Sequence, residues 1–270
     1  MIRLIATDVD GTFCDSNSQF NRERFARQLT EMKEYGILFV IASGNEQRAM
    51  YKKFQPFSDD IYFVCDNGCT IFRGNTMLDM ATTDQVTADQ IAALCMAREE
   101  LVSLVSCEHH CFMLEKDQAY APVLEPYFSN ILLLPSLAGL SEKVLKFSVV
   151  DPERTIDRFT EDLQKDLPAG FRAITAGNEC IDIMPDTVSK GTGLRKLMEQ
   201  EGILPEEAIA FGDQRNDLSM FEAVGRSCAM ANAVADLKHA ADEVIKSNDE
   251  EGVLEVIDAI LETYRQKNRP

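Results

Sequence analysis

Two aspartates two residues apart, Asp8 and Asp10, are the first residues of this chain whose types and spacing could do chemistry. They follow a short apolar run and precede Gly11, which lets the backbone turn sharply. Two carboxylates this close repel each other unless a cation or a shared proton lies between them. The pair therefore predicts a divalent-metal site or a nucleophile beside an acid/base, with a simple Asp-Gly turn as the alternative.

Further polar groups follow apolar runs or open predicted helices later in the chain, at Ser43, Lys190, Asp213, Asn216 and Asp217. In an open parallel sheet the carboxyl ends of the strands meet at one edge, and ligands bind there. If a phosphate ester lay at that edge, one carboxylate could attack phosphorus and a second could move the proton. A magnesium ion, a lysine and a hydroxyl could then hold the remaining negative charge.

The elements that must position these groups are strands and helices in alternation. The apolar, branched run 1–7 predicts a buried strand, and Asn21 can cap a helix whose apolar stripe is Phe25, Leu29 and Met32. The next run, 37–42, is continuously apolar, as expected of a parallel strand covered on both faces. This β-α-β order predicts an α/β fold with a Rossmann-like parallel sheet.

From about residue 82 the pattern changes to short strands and two amphipathic helices, with an irregular proline-bearing stretch between the strands. Thr87 and Gln90 form a plausible capping box for the first helix, and Asp151-Pro152 is predicted to begin the second. This α+β order predicts an antiparallel sheet with both helices on one face. We expect residues 82–185 to form an inserted cap domain, and residues 1–81 and 186–270 to form a discontinuous core.

The composition limits the partners of the protein. The formal net charge of −18 argues against nonspecific nucleic-acid binding, and a phosphorylated substrate would need a local cation. No apolar run approaches the roughly 18 residues that a membrane span needs. We expect no secretory signal and a cytoplasmic protein with reduced thiols. The cluster Cys107-Glu108-His109-His110-Cys111 is more typical of a hairpin loop than of a metal site.

Together these motifs resemble those of the haloacid dehalogenase superfamily, in particular its Cof-like phosphatases, whose large type IIB cap is inserted between the second and third motifs. Asp8-Val9-Asp10-Gly11-Thr12 is similar to the first motif and Ser43-Gly44 to the second. Lys190 corresponds to the third, and Gly212-Asp213-Gln214-Arg215-Asn216-Asp217 is similar to the fourth. Asn67-Gly68, Ala231-Asn232-Ala233 and Asn248-Asp249-Glu250-Glu251-Gly252-Val253 resemble later signatures of that group. The resemblance covers the whole chain.

The resemblance implies a magnesium-dependent phosphatase that hydrolyses a small phosphorylated metabolite, with a sugar phosphate as the leading candidate, through an aspartyl-phosphate. Phosphates of flavin and pyridoxal are further candidates. A phosphotransferase or mutase that passes the phosphoryl group to a sugar hydroxyl is the alternative, followed by a catalytically silent binding protein. A mutase and a hydrolase differ in whether inorganic phosphate is released.

The same resemblance implies a role for each site residue. Asp8 would be the nucleophile and Asp10 the general acid/base. Magnesium would be held by Asp8, the backbone carbonyl of Asp10, and Asp213, while Asp217 would order metal-bound water or the lysine. The phosphate group would be held by Ser43, Gly44, Lys190 and Asn216.

One residue departs from the pattern of the group, because Asn45 stands where these phosphatases usually have arginine. Asparagine can donate a hydrogen bond but cannot make a bidentate charged contact. Either the substrate carries less charge near residue 45, or the cap supplies a cation. We expect loops of the cap to select the leaving group, with candidates at 107–111, 116–117 and 175–179.

Overall fold

The computed structural model describes residues 1–125, 127–152, 157–175 and 180–267, and the side chains of all of these except 157 and 158. Contacts divide the chain into two compact units. The first comprises Met1–Ser43, Met50–Leu78 and Ser189–Pro270, and the second comprises Gly44–Ala49 and Asp79–Val188. The domain boundaries expected after residues 81 and 185 stay a prediction.

Strands and helices are each numbered in chain order. The strands are β1 Leu4–Thr7, β2 Leu38–Ala42, β3 Tyr62–Cys65, β4 Thr70–Arg73, β5 Thr76–Met80, β6 Val102–Cys107, β7 Cys111–Leu114, β8 Ile131–Leu134, β9 Val144–Val150, β10 Phe171–Thr175, β11 Cys180–Pro185, β12 Ala208–Gly212, β13 Arg226–Met230 and β14 Glu243–Ile245. The helices are α1 Arg22–Glu34, α2 Gln47–Lys53, α3 Gln85–Met96, α4 Ala121–Leu124, α5 Asp157–Asp166, α6 Lys190–Gln200, α7 Leu218–Phe221, α8 Ala235–Ala240 and α9 Gly252–Lys267.

The sheet of the first unit has eight strands in the order β14-β13-β12-β1-β2-β3-β4-β5. The neighbours from β14 to β3 are parallel, and β4 then runs antiparallel to β3. All four residues of β1 are buried, as its apolar sequence requires. The predicted α/β fold with a parallel sheet is confirmed. Because β1 lies between β2 and β12, the ends of these three strands meet at the same edge of the sheet.

Helix α1 forms as its sequence predicts. The side chain of Asn21 accepts a hydrogen bond from the backbone N–H of Arg24, which satisfies one of the free donors at the helix start. The stripe of Phe25, Leu29 and Met32 is buried. Local sequence was therefore enough to specify both the start and the buried face of this helix.

The sheet of the second unit has the order β10-β11-β9-β6-β7-β8. Its neighbours are antiparallel except for β7 and β8, which are parallel. Helices α3 and α5 share one hydrophobic cluster with the strands, through residues such as Ile91, Leu163 and Phe147. The expected α+β arrangement is confirmed, and so is the hairpin between Cys107 and Cys111.

Three local predictions in the second unit had different outcomes. Strand β8 was missed, because its four-residue apolar run lies within a stretch that the prolines made look irregular. The capping box predicted at Thr87 was wrong, since α3 begins earlier and Asp84 accepts the N–H of Thr87. The helix start predicted at Asp151-Pro152 runs into 153–156, which lie outside the described residues. Across the ranges described, no helix is both long and apolar enough to cross a bilayer.

Candidate active site

The first unit brings three of the predicted site residues to one edge of its sheet. Asp8 directly follows β1, Ser43 follows β2, and Asp213 follows β12. The backbone N–H of Asp8 donates to the carbonyl oxygen of Phe211 at 3.0 Å, which continues the parallel ladder past the end of β1. All three side chains are buried. The ends of the strands therefore gather carboxylates and a hydroxyl where water is largely excluded.

Lys190 is the cation of this edge. Its side chain is 1% exposed, and its Nζ lies 2.6 Å from Oδ1 of Asp8 and 2.7 Å from Oδ1 of Asp217. The residue occupies the first position of α6, after the N-cap Ser189. Gly68, at a φ of +101°, lets the turn after β3 approach this helix start, because a Cβ there would lie 2.0 Å from the carbonyl oxygen of Ser189.

Asp217 ties the lysine to the loop after β12. Its Oδ1 accepts from Lys190, and its Oδ2 accepts the backbone N–H groups of Asp213 and Gln214, both at 3.0 Å. A side chain at Gly212 would meet the Cβ of Asp217 at 2.5 Å, so the loop needs glycine at that position. Asp217 therefore orders both the lysine and the backbone that carries Asp213.

Asp213 is oriented by neighbouring hydrogen-bond donors. The hydroxyl of Thr12 donates to its Oδ1 at 2.7 Å, and the side-chain amide of Gln214 donates to its Oδ2 at 3.0 Å. Gly11 has a φ of +81°, and a Cβ there would lie 2.6 Å from Oδ2 of Asp213. Glycine at this position thus permits the turn and also leaves room for the carboxylate.

Negative charge exceeds positive charge in this cluster. Ligand atoms of Asp8, Asp213 and Asp217 lie within 4.8 Å of one another, around the single ammonium of Lys190. Burial raises the pKa of Asp8 well above its usual range; Lys190 opposes the rise, while Asp217 and Asp213 add to it. Burial also raises the pKa of Asp213. For Lys190 burial favours the neutral amine, but Asp217 and Asp8 outweigh it and raise the pKa.

Asp10 lies apart from this buried cluster. Its side chain is 52% exposed, and its Oδ1 accepts a hydrogen bond from Nζ of Lys53, the last residue of α2, at 3.1 Å. The two carboxylates of the first motif therefore have different surroundings. Asp8 is desolvated beside a buried lysine, whereas Asp10 faces solvent beside a half-buried one.

The loop that carries both aspartates is held by residues from two later turns. The side-chain amide of Asn232 donates to the carbonyl oxygen of Gly11 at 2.7 Å, and that of Asn248 donates to the carbonyl oxygen of Cys14 at 3.0 Å. The backbone N–H of Asn248 also donates to Oδ1 of Asn232 at 3.2 Å. The two late signatures thus fix the backbone that follows β1.

Comparison with known proteins decides the family. The family model of the haloacid dehalogenase-like hydrolases matches residues 5–257. The chain is 33% identical to the 5-amino-6-(5-phospho-D-ribitylamino)uracil phosphatase YbjI of Escherichia coli, over 96% of each protein. The chain belongs to the haloacid dehalogenase-like hydrolase family. It is an enzyme of the phosphoric monoester hydrolase class, and the resemblance found in its motifs is confirmed.

Two other proteins extend the comparison along the whole length of this haloacid dehalogenase-like hydrolase. The phosphatase YwtE of Bacillus subtilis, named for the same phosphoribitylamino compound, is 29% identical over 96% of this chain and 98% of its own length. The crystal structure of SMU.1108c from Streptococcus mutans is 30% identical, covers 97% of this chain and 99% of its own, and superimposes with a TM-score of 0.89. The family fold therefore spans nearly all of the chain.

The residues of this hydrolase fit a divalent metal ion. Carboxylate and carbonyl oxygens are the ligands that magnesium prefers, and Asp8 and Asp213 present such oxygens within one small cluster. Three carboxylates, those of Asp8, Asp213 and Asp217, lie around the ammonium of Lys190 in this cluster. A bound cation would supply the missing positive charge.

Two of the remaining predicted phosphate residues, Ser43 and Asn216, are connected through Asn67. Asn216 donates from its Nδ2 to Oδ1 of Asn67 at 3.3 Å, and the backbone N–H of Asn67 donates to the carbonyl oxygen of Ser43 at 3.0 Å. Gly44 belongs to the second unit, where its carbonyl oxygen accepts from Nζ of Lys146 at 2.8 Å. The phosphate-binding roles of these residues stay predictions.

Sequence reasoning missed Lys53. No motif surrounds it, and two consecutive lysines at a helix end are typical of a solvated C-terminal turn. Its position in the sequence could have singled it out. Lys53 lies in α2, the helix that follows the second motif, and that motif lies at the edge of the sheet. The structure shows which of the two lysines reaches Asp10.

Proposed function

We propose that this hydrolase is a magnesium-dependent phosphatase that acts on a small phosphorylated metabolite through an aspartyl-phosphate formed on Asp8. The observation that carries the proposal is the buried Asp8 carboxylate, held at 2.6 Å by Lys190 within a cluster of excess negative charge. A binding protein would have no need of a nucleophile beside a second carboxylate. A desolvated carboxylate at the edge of the sheet is suited to attack phosphorus.

Magnesium would be held by Asp8, Asp213 and the backbone carbonyl of Asp10. When bound, it would neutralise the negative charge of the cluster and of the phosphoryl group. The net charge of −18 repels phosphorylated compounds at long range, so this local positive charge matters for binding. Ser43, Gly44, Lys190 and Asn216 would hold the phosphate oxygens with a hydroxyl, a backbone N–H, an ammonium and an amide.

The reaction would proceed in two steps. In the first, a carboxylate oxygen of Asp8 forms a bond to phosphorus while the bond from phosphorus to the ester oxygen breaks. The carboxylic acid of Asp10 gives its proton to that oxygen, so an alcohol leaves. In the second, the Asp10 carboxylate takes a proton from water as the water oxygen attacks phosphorus and the bond from phosphorus to the Asp8 oxygen breaks. Inorganic phosphate leaves, and both side chains return to their starting forms.

Asp217 would act on this reaction through Lys190. Because Lys190 donates hydrogen bonds to both Asp217 and Asp8, its ammonium would already lie where negative charge gathers during phosphoryl transfer. A group held in advance in this way stabilises the transition state without first having to reorganise. The hydrogen bonds that Asp217 accepts from the backbone N–H groups of Asp213 and Gln214 hold its side chain in place.

For the substrate we propose a phosphate ester carried by a polyhydroxylated chain, such as a sugar or sugar-alcohol phosphate. Support comes from the names of two relatives that span almost the whole chain, since both are phosphatases of a compound with phosphate on a ribityl group. The leaving group of such an ester is a poorly stabilised alkoxide. A general acid at Asp10 suits that chemistry.

The loops expected to select the leaving group belong to the second unit. Two of them, 107–111 and 116–117, lie within the described residues. In the third, residues 176–179 lie outside them. The role of all three loops in specificity stays a prediction.

The test is release of inorganic phosphate from 4-nitrophenyl phosphate and from a panel of sugar, sugar-alcohol, nucleotide, flavin and pyridoxal phosphates, including the phosphoribitylamino compound. Reactions with magnesium and with EDTA would compare the wild type with Asp8→Asn and with the surface control Asp236→Asn. We expect metal-dependent turnover that falls by about 10⁴-fold or more in Asp8→Asn and is unchanged in the control.

Two other outcomes would overturn the proposal. Transfer of the phosphoryl group to a sugar hydroxyl without release of phosphate would identify a phosphotransferase or mutase. No turnover of any compound, by a folded protein whose melting temperature responds to magnesium, would identify a silent binding protein. Trapping phosphate on the wild type but not on Asp8→Asn would directly test the covalent step.

A further inference from the structure

The final residue of α2 reaches the loop that carries the two aspartates of the first motif. Nζ of Lys53 lies 3.1 Å from Oδ1 of Asp10, and the side chain of Lys53 is 22% exposed, against 52% for Asp10. The more buried partner is therefore the lysine, whose burial costs free energy unless a charge compensates it. The preceding residue, Lys52, is exposed.

The backbone beneath this ion pair is constrained. Asp10 and Cys14 form an isolated β-bridge, which folds the loop back on itself directly after β1. Cys14 is buried, and its carbonyl oxygen accepts from the side chain of Asn248. Asp10 therefore stands on an ordered loop, and Lys53 contacts the exposed side chain that this loop carries.

We propose that Lys53 is a positioning residue that holds the carboxyl group of Asp10 in the orientation from which it exchanges a proton with the ester oxygen. The inference rests on the proposed function, in which Asp10 is the general acid. Lys53 binds one carboxyl oxygen, Oδ1, and in this proposal the proton is exchanged at the other. It acts through Asp10 and does not itself touch the reacting atoms.

This role predicts a dependence on the leaving group. A stabilised leaving group such as 4-nitrophenolate departs without a proton, whereas a more basic one needs the acid in the right place. Loss of Lys53 should therefore slow hydrolysis more as the leaving group becomes more basic. A residue that only stabilised the fold would affect all substrates to the same extent.

The experiment measures kcat/KM with magnesium for 4-nitrophenyl, phenyl and 4-methoxyphenyl phosphate, which differ only in the ring substituent. For Lys53→Met we expect a loss of about 10-fold or more with the methoxyphenyl ester and of less than about 3-fold with the nitrophenyl ester. Lys53→Arg should recover most of the loss, because it keeps the charge. Lys52→Met is the matched control and should behave as the wild type.

A double-mutant cycle with Asp10→Asn separates this inference from the proposed function. Lys53→Met should cause little further loss with the methoxyphenyl ester once Asp10 has been replaced. Equal losses on all three esters, or additive effects of the two changes, would overturn the role of Lys53 alone. If Asp10→Asn itself showed no dependence on the leaving group, Asp10 would not be the general acid, and that part of the proposed function would be overturned instead. Thermal melts would confirm that each variant is folded.

Discussion

Each of the two units contains a buried lysine that meets carboxylates, and the two lysines differ in the charge around them. In the second unit, Nζ of Lys146 lies 2.9 Å from Oδ2 of Asp182, and both side chains are 3% exposed. Ser148 donates to the other oxygen of Asp182 at 2.6 Å. In the first unit, Lys190 contacts two carboxylates, and the carboxylate of Asp213 is close to both.

Burial of a charged residue therefore does not by itself indicate a functional site. At Lys146 the ammonium contacts the Asp182 carboxylate, and the carbonyl oxygen of Gly44 and the hydroxyl of Ser148 add hydrogen bonds to this ion pair. The centre at Lys190 holds three carboxylates around one ammonium. Excess negative charge destabilises the folded protein until a cation binds, which is what a metal-dependent active site requires.

A change in the second unit is predicted to have a strong effect on the stability of the protein. Replacing Asp182 with Asn leaves the ammonium of Lys146 without its charged partner. We expect Asp182→Asn to lower the free energy of unfolding by about 3–5 kcal/mol, because an unpaired buried charge is costly. Urea unfolding followed by circular dichroism measures the change.

Two further variants serve as controls for Asp182. Ser148→Ala removes one hydrogen bond to the carboxylate and should cost about 1 kcal/mol. The double change Lys146→Met with Asp182→Leu removes both charges and should be less destabilising than Asp182→Asn alone. An unchanged unfolding curve for Asp182→Asn would show that this ion pair does not compensate the buried charge.

A smaller effect is expected from the metal in the first unit. Because magnesium would bind the folded cluster and not the unfolded chain, it should stabilise the protein by about 2.7 kcal/mol at a concentration 100 times the Kd. The melting temperature should rise with magnesium chloride, but not with sodium chloride of the same ionic strength. Asp213→Asn should abolish the rise, whereas the surface variant Asp236→Asn should keep it. A wild-type melting temperature unaffected by magnesium would contradict the metal site.

The smallest effect concerns pH in the absence of metal. Burial raises the pKa of Asp213 in the folded state, so its ionised form destabilises the fold, and this cost sets in as pH rises above about 4. Asp213→Asn removes the ionisable group. Without metal, we expect this variant to be more stable than the wild type near neutral pH, and the difference to shrink as pH falls toward 4. A difference in stability that stayed constant, or grew on acidification, would mean that ionisation of Asp213 does not destabilise the folded protein.

The sequence was most informative where local patterns and motifs coincide. The run of four buried residues in β1, the Asn21 cap and the continuously apolar β2 each predict their element from residue type alone. The order of these elements predicts a parallel sheet, and the parallel sheet predicts that Asp8, Ser43 and Asp213 share an edge. The motifs then identified the family.

Local patterns failed where distant partners decide the outcome. Strand β8 forms because a short run flanked by prolines pairs with β7. Helix α3 begins at Gln85 because Asp84 caps it, although Thr87 and Gln90 also match a cap pattern. In both cases the local sequence is compatible with more than one structure, and packing and strand pairing determine which one forms.

The fold class, the family and the candidate catalytic residues could be predicted without a structure, because these depend on periodicity and on motifs a few residues long. The distances between the charged groups follow from the three-dimensional fold. It brings Lys190 to Asp8 across 182 positions of the chain and Lys53 to Asp10 across 43, and it pairs Lys146 with Asp182. The physical reason is that charges interact through space, over a few ångströms and in a medium that burial makes less polar, so spacing along the chain does not reveal them.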